Sequence, residues 1–391
     1  MTDKPWKSIK VADGHLDYYR KHSISPVNQD LLDLPVHLER RRSLYRCAGL
    51  LPKFFYGLDI LEVAPGSGHN SLYIASCLPA SYDLCEPNPT ALAGINTLYD
   101  GLDITHTRPV IHPLKLQDFN PSNPYDVIIC EGWLGSASHE LEMLKKLAGL
   151  TKPGGVLVVT TLSPIGILSN LLRKLLAQRL IKQTDDFAGQ TEILLKAFSS
   201  HLATLQNMSR PQRDWVQDNL LNPAYYGICL TPKLVFDTIG DDFSFYGTAP
   251  RITTDWRWHK SLFGEQRRDN EHFLDSYYQS AHNFIDHTSL LPLRTAVQNQ
   301  RLEDLCWELL VEASHWESSG CGERAGLIAI IERINADVAQ FSPSASSAID
   351  EFLELFANET VSAQEVAAMN TFSHLFGREN LYLSLSRDEP K

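Results

Sequence analysis

None of the seven cysteines (Cys47, Cys77, Cys85, Cys130, Cys229, Cys306 and Cys321) forms a CxxC pair, which speaks against a zinc knuckle or a disulfide framework. No metal site is expected. Cys85 and Cys130 stand inside apolar runs, where a thiol behaves as a small buried hydrophobe. No stretch of about 18 residues runs without polar interruption, and the opening MTDKPWKSIKVADGHLDYY lacks the apolar centre of a secretory signal. These absences lead to the expectation of a cytoplasmic protein with no stable membrane insertion. Positive charge is also scarce, with 35 Lys and Arg against 47 Asp and Glu, a formal net charge of −12. Nucleic-acid affinity rests on neutralising phosphates, so no duplex nucleic acid is expected as the main partner.

What is present is an ordinary globular composition, 43% hydrophobic and 21% charged over 391 residues. That length suits one catalytic domain with insertions, or two domains. Between about 58 and 161, short β-rich apolar runs alternate with helical patterns, as in a parallel sheet wound with helices. The expected strands are 58–63, 82–85, 110–114, 126–130 and 156–161, with 243–246 and 381–385 as later additions. Gly66 and Gly68 follow the first strand, Pro87-Asn88-Pro89 the second, and Lys152-Pro153-Gly154-Gly155 turns into the fifth.

The stretch 164–182 spaces its leucines as a helix does and carries only Arg173, Lys174, Arg179 and Lys182 as charges. It reads as a cationic amphipathic helix with a solvated basic face, or one contacting a membrane surface or an acidic ligand. Beyond 258 the pattern stays helical for a long way, and Ser362 with Glu365 forms a capping-box pattern. The organisation expected is an N-terminal helical cap (1–57), a core (58–162), a lid or acceptor-pocket insertion (163–235), a core strand region (236–263), a helical insertion (264–376) and a C-terminal core strand (377–391).

The most informative segment is Ile60-Leu61-Glu62-Val63-Ala64-Pro65-Gly66-Ser67-Gly68-His69-Asn70, a strand entering a glycine turn and then a helix. Glycines there let backbone approach a ligand closely and present amides to it. A pyrophosphate fingerprint would place a third glycine where Ser71 stands. The arrangement instead resembles the first motif of class I, Rossmann-like S-adenosylmethionine-dependent methyltransferases. Glu62, Gly66 and Gly68 match it, while Ala64 replaces the first glycine and is expected to need only an ordinary backbone conformation.

The likeness continues in order over about 100 residues. Glu86, followed by Pro87, ends the second strand where the family's acid binds both ribose hydroxyls, and a carboxylate suits that task by accepting two hydrogen bonds. Its loss is expected to strand no buried partner. Asp118 and Phe119 stand where the family contacts the adenine amino group and ring, and Glu131 follows the fourth strand. The resemblance implies an α/β fold, doubly wound around a mostly parallel seven-stranded sheet with helical insertions and an N-terminal cap. It implies S-adenosyl-L-methionine as donor and an enzyme of the EC 2.1.1 class.

For the acceptor, Tyr18 and Tyr19 in the cap are candidates, with a solvated face as the alternative for the run Glu39-Arg40-Arg41-Arg42. Arg213, Trp215, Asp218, Asn222, Tyr225 and Tyr226 come from a segment dense in aromatic, charged and amide side chains, where this class commonly builds its acceptor pocket; the alternative is an ion-paired helix and turn. Candidate bases are His69, Glu131 and His139, although alignment with an activated sulfonium supplies much of the rate without a base. A small-molecule acceptor enclosed by the cap and the insertion is expected. A protein acceptor, or a non-catalytic donor-binding scaffold whose helical block binds a partner, stays open, and the oligomeric state is not readable.

Overall fold

The computed structural model of the protein describes residues 14–135, 139–181, 186–223, 227 and 229–389. It divides into two compact units. The sheet unit comprises Tyr19–Leu162, Leu230–Tyr277 and Asn380–Lys391, and the helical unit Met1–Tyr18, Ser163–Cys229 and Tyr278–Glu379. The segments 163–229 and 278–379 thus belong to one unit, and the cap residues from Tyr19 onward belong with the sheet.

In the sheet unit, β1 (Asp59–Val63), β2 (Ser81–Cys85), β3 (Val110–His112), β4 (Tyr125–Cys130), β5 (Thr151–Leu162), β6 (Phe243–Ala249) and β7 (Asn380–Arg387) form one sheet in the order β3-β2-β1-β4-β5-β7-β6. The first five strands pair in parallel, and β7 runs antiparallel between β5 and β6. This is the doubly wound, seven-stranded fold expected from the sequence. The central strands are apolar runs because helices cover both faces of a parallel sheet. Ile60, Val127, Ile129, Val156 and Val158 pack with Tyr45, Leu72, Ile74, Leu84 and Ile95 in one buried core.

The helix Leu34–Cys47 begins where Asp33 accepts from the amide of Val36, with Pro35 in its first turn. It buries His37, Arg41 and Tyr45, spaced four apart on one face. Arg40 and Arg42 are exposed, so the arginine run is a solvated face with one exception, at Arg41.

In the helical unit, the helix Leu168–Leu180 corrects the expectation of a solvated basic face. Arg173 and Lys174 are both fully buried. Arg173 donates to the carbonyls of Leu375 (2.8 Å), Phe372 (3.0 Å) and Ser373 (3.3 Å), and its guanidinium lies 3.7 Å from the Phe376 ring centroid. Lys174 donates to the carbonyls of Leu220 (2.9 Å) and Asn222 (3.1 Å). The last carbonyls of a helix have no partner inside it, so these two cations serve as caps for other segments of the same unit. Among the described residues, no helix is long and apolar enough to cross a membrane.

Candidate functional site

The strand tips of the sheet unit carry the candidate donor residues. After β1 the chain turns through Ala64, Pro65, Gly66 and Gly68. Gly66 has φ +59°, and a Cβ there would lie 2.3 Å from Cγ2 of Val27. The segment before the helix Leu34–Cys47 therefore lies directly on the glycine turn. The carbonyl of Ile24 accepts from Asn88 (3.0 Å), the amide of Gln29 donates to Nδ1 of His69 (2.8 Å), and Arg20 donates to the carbonyl of Pro87 (2.9 Å).

Ala64 departs from expectation. Its φ is +56°, in the left-handed region, so the residue at the first glycine position carries backbone strain that a glycine would not.

Glu86 is buried at the end of β2. One carboxylate oxygen accepts from the amide of Gly66 (3.0 Å) and the other from the amide of Asn88 (2.8 Å). Burial raises its pKa to about 7, against the downward pull of those two hydrogen bonds and of Arg20. Removing the carboxylate would strand two backbone donors, contrary to the expectation that no buried group depends on it. Asn88 caps the following helix itself, its side chain accepting from Thr90 (3.1 Å), so Glu86 is not that helix's side-chain cap. Farther along this edge, Phe119 is buried with its ring 4.8 Å from that of His112, while Asp118 is exposed.

A second buried cluster joins β1, β4, β7 and the helix Leu34–Cys47. Arg41 donates to both carboxylate oxygens of Glu131, at 2.5 and 2.7 Å, and the phenol of Tyr45 donates to the nearer one at 2.5 Å. Glu62 accepts from the phenol of Tyr82. Burial and the neighbouring Glu131 push the Glu62 carboxyl up to about 7. Tyr382 of β7 adjoins Arg41, and its phenol is pushed up to about 12, chiefly by burial.

The candidate bases are dispersed. His69 is half-buried and accepts through Nδ1, Glu131 sits in the ion pair with Arg41, and His139 is exposed at the start of the helix Glu140–Leu150. Of the acceptor candidates, Tyr19 belongs to the sheet unit and the others to the helical unit. There, the buried phenol of Tyr18 donates to the carbonyl of Gln217 (2.7 Å), and Asp218 pairs with Arg210 (2.5 Å). Asn222 bonds Asp218 (3.2 Å) and His15 (2.8 Å). Trp215 is buried against Phe376, and Arg213 is exposed and paired with Glu192. Tyr225 and Tyr226 lie outside the described residues.

Residues 38–193 match the family model described as a methyltransferase domain. They form a class I methyltransferase domain. The strand order and the glycine turn with Glu86 beneath it are the framework of that class, whose cofactor is S-adenosylmethionine. The residues present suit this donor: the carboxylate of Glu86 has about four acceptor positions, two of which its amide partners use. The chain is 32% identical over 138 residues to a tRNA U34 carboxymethyltransferase of Syntrophotalea carbinolica, across 34% of this chain and 41% of that relative. The chain thus spans less than half the length of that curated relative. Among solved structures, the N-methyltransferase NodS of Bradyrhizobium japonicum in complex with S-adenosyl-L-homocysteine is similar at 17% identity and a TM-score of 0.30, over 37% of this chain and 74% of that one. A methyltransferase of Mesorhizobium loti is similar at 18% identity and a TM-score of 0.28, over 34% and 59% respectively.

Sequence reasoning missed Arg41, Tyr45, Val27 and Tyr82 as parts of this site. The usable signal for the first two was the four-residue spacing of His37, Arg41 and Tyr45, a buried polar stripe that the neighbouring arginines disguise as surface.

Proposed function

We propose that the protein transfers a methyl group from S-adenosylmethionine to a small-molecule acceptor. The observation that carries the donor half is Glu86, a buried carboxylate tied to the glycine-turn amide and retaining acceptor positions for two ribose hydroxyls. When bound, the donor supplies an electrophilic methyl on a sulfonium. The chain then has to orient the donor through Glu86 and Phe119, keep water away with the segment over Gly66, and set the charge around it with Glu62, Glu131 and Arg41.

The acceptor assignment rests on charge. The Syntrophotalea relative acts, by its name, on tRNA, and a formal net charge of −12 argues against a polyanionic acceptor here. The polar side chains Tyr18, Asp218 and Asn222 are our candidates for acceptor contacts.

Two measurements test the reading. S-adenosylmethionine and S-adenosylhomocysteine are expected to raise the melting temperature by mass action, and NAD and ATP to leave it unchanged. Glu86→Ala should weaken donor binding by about tenfold or more through loss of charge-assisted hydrogen bonds. Stabilisation by NAD alone would remove the donor assignment. Mass spectrometry of labelled methyl transfer into a cell extract then separates small products from methylated protein or tRNA, and labelled macromolecule alone would overturn the acceptor class.

A further inference from the structure

The ion pair between Arg41 and Glu131 is poorly explained by stability. Both side chains are nearly buried, at 7% and 11% exposure, and a buried pair is often no better than well-packed apolar residues of the same volume. Nε of Arg41 is buried with no hydrogen-bond partner among the described residues, an omission that counts against folding. An arrangement made only to hold the helix Leu34–Cys47 on the sheet has no reason to keep that fault.

The surroundings give it a reason. Glu131 follows the last residue of β4, and Glu62 lies in the adjacent strand β1, near enough that the charge of Glu131 helps to raise the Glu62 carboxyl. Arg41 is the guanidinium that opposes this for both. Two carboxylates and one guanidinium leave a net charge of −1 when both acids are ionised, matched to a donor whose sulfonium and ammonium outnumber its carboxylate. Among the described residues, the other ionisable groups facing the pair are His37 and Tyr45 from the same helix, Tyr73 from the helix Ser71–Ser76, Tyr382 from β7 and Cys130 from β4.

We infer that Arg41 is a positioning residue of the methyl-transfer site, holding Glu131 as a fixed anion toward the cationic donor rather than leaving it free as a general base. Tyr45 shares this task by donating to the same oxygen that Arg41 approaches most closely. The inference rests on the donor assignment above and adds that Arg41 governs the protonation of Glu131.

The test compares the intact protein with Arg41→Gln, Arg41→Lys and Tyr45→Phe. Glutamate labelled at the side-chain carboxyl carbon reports titration by NMR, with Glu131→Gln locating the signal, and calorimetry reports S-adenosylmethionine affinity at about pH 6 and about pH 8. In Arg41→Gln the Glu131 signal should titrate at least about one pH unit higher than in the native protein, since a neighbouring cation shifts a carboxyl by roughly 1–3. Donor affinity should fall several-fold more at the lower pH, and Arg41→Lys should recover much of the loss. Should Arg41→Gln not fold, Tyr45→Phe is expected to give a smaller shift of the same sign. An unmoved Glu131 titration, or an affinity loss equal at both pH values, would overturn the role of Arg41. Native protein that binds no S-adenosylmethionine at either pH would instead overturn the donor assignment.

Discussion

In the sheet unit the buried charges are mainly carboxylates gathered at strand tips, Glu62, Glu86 and Glu131, with Arg41 as the counter-charge of Glu62 and Glu131 and Arg20 as that of Glu86. In the helical unit the most deeply buried charges are the cations Arg173 and Lys174, and their partners are backbone carbonyls. Both arrangements take ions out of water, but only the first keeps its groups near their titration range, with Glu62 and Glu86 both at about 7. Carboxyls tuned by burial and by one another are common where ligands bind, whereas a cation satisfied by several carbonyls has nothing left to offer a ligand. Buried charge alone therefore does not mark a site; the chemistry of its partners does.

The sharpest way to break this contrast is Arg173→Met. It takes a donor from three carbonyls of the segment 372–375, of which that of Leu375 has no other donor among the described residues, and removes the cation from the Phe376 face, so a loss of roughly 3–5 kcal/mol is expected in chemical denaturation. Donor affinity in the protein that remains folded should be unchanged. A variant of normal stability that has lost donor binding would erase the distinction between the two kinds of buried charge.

A second test uses pH. Glu62 and Glu86 have folded-state pKa values raised above the ordinary carboxyl value of 4.5 to about 7. The folded protein therefore holds protons that the unfolded chain has already released. Stability from these groups is greatest below about pH 4.5 and declines as pH rises to about 7. Donor binding runs the other way, because a cationic ligand favours the ionised carboxylates. Affinity is expected to rise about three- to tenfold between about pH 6 and pH 8, and Glu62→Gln to reduce that slope. Calorimetry showing a flat profile would mean that neither carboxyl changes protonation with the donor.

The smallest effect is expected at the turn. Ala64→Gly relieves a left-handed alanine, partly offset by the greater freedom of glycine in the unfolded chain, and should stabilise the protein by about 0.5 kcal/mol. A destabilised Ala64→Gly protein, read by thermal melting, would show that the methyl group of Ala64 is held by packing.

The sheet was legible from the sequence because apolar runs near five residues long, separated by glycine and proline turns, have few other ways to be buried. The placing of Glu62, Glu86 and Glu131 at or beside strand ends was legible because they stand at fixed distances from those turns. Ala64 was misread because no propensity reports the sign of φ where a turn forces a non-glycine residue to the left. Arg173 and Lys174 were misread because helical charge spacing normally means solvent, and the carbonyls that bury Arg173 lie about 200 positions away in the chain. Arg41 was hidden for a related reason, since Arg40 and Arg42 on either side are indeed exposed.

The position of β7 between β5 and β6 bears on how the chain is made. The hydroxyl of Thr161 in β5 bonds the carbonyl of Leu381 in β7 across 220 positions. While a ribosome is still synthesising the residues before β7, β5 and β6 both present unpaired edges, the kind of surface that invites strands from other chains. At elongation rates of roughly 5–20 residues per second, that exposure lasts on the order of ten seconds or more for β5. Nascent chains released before β7 should thus be the ones that chaperones retain and that aggregate when chaperones are scarce.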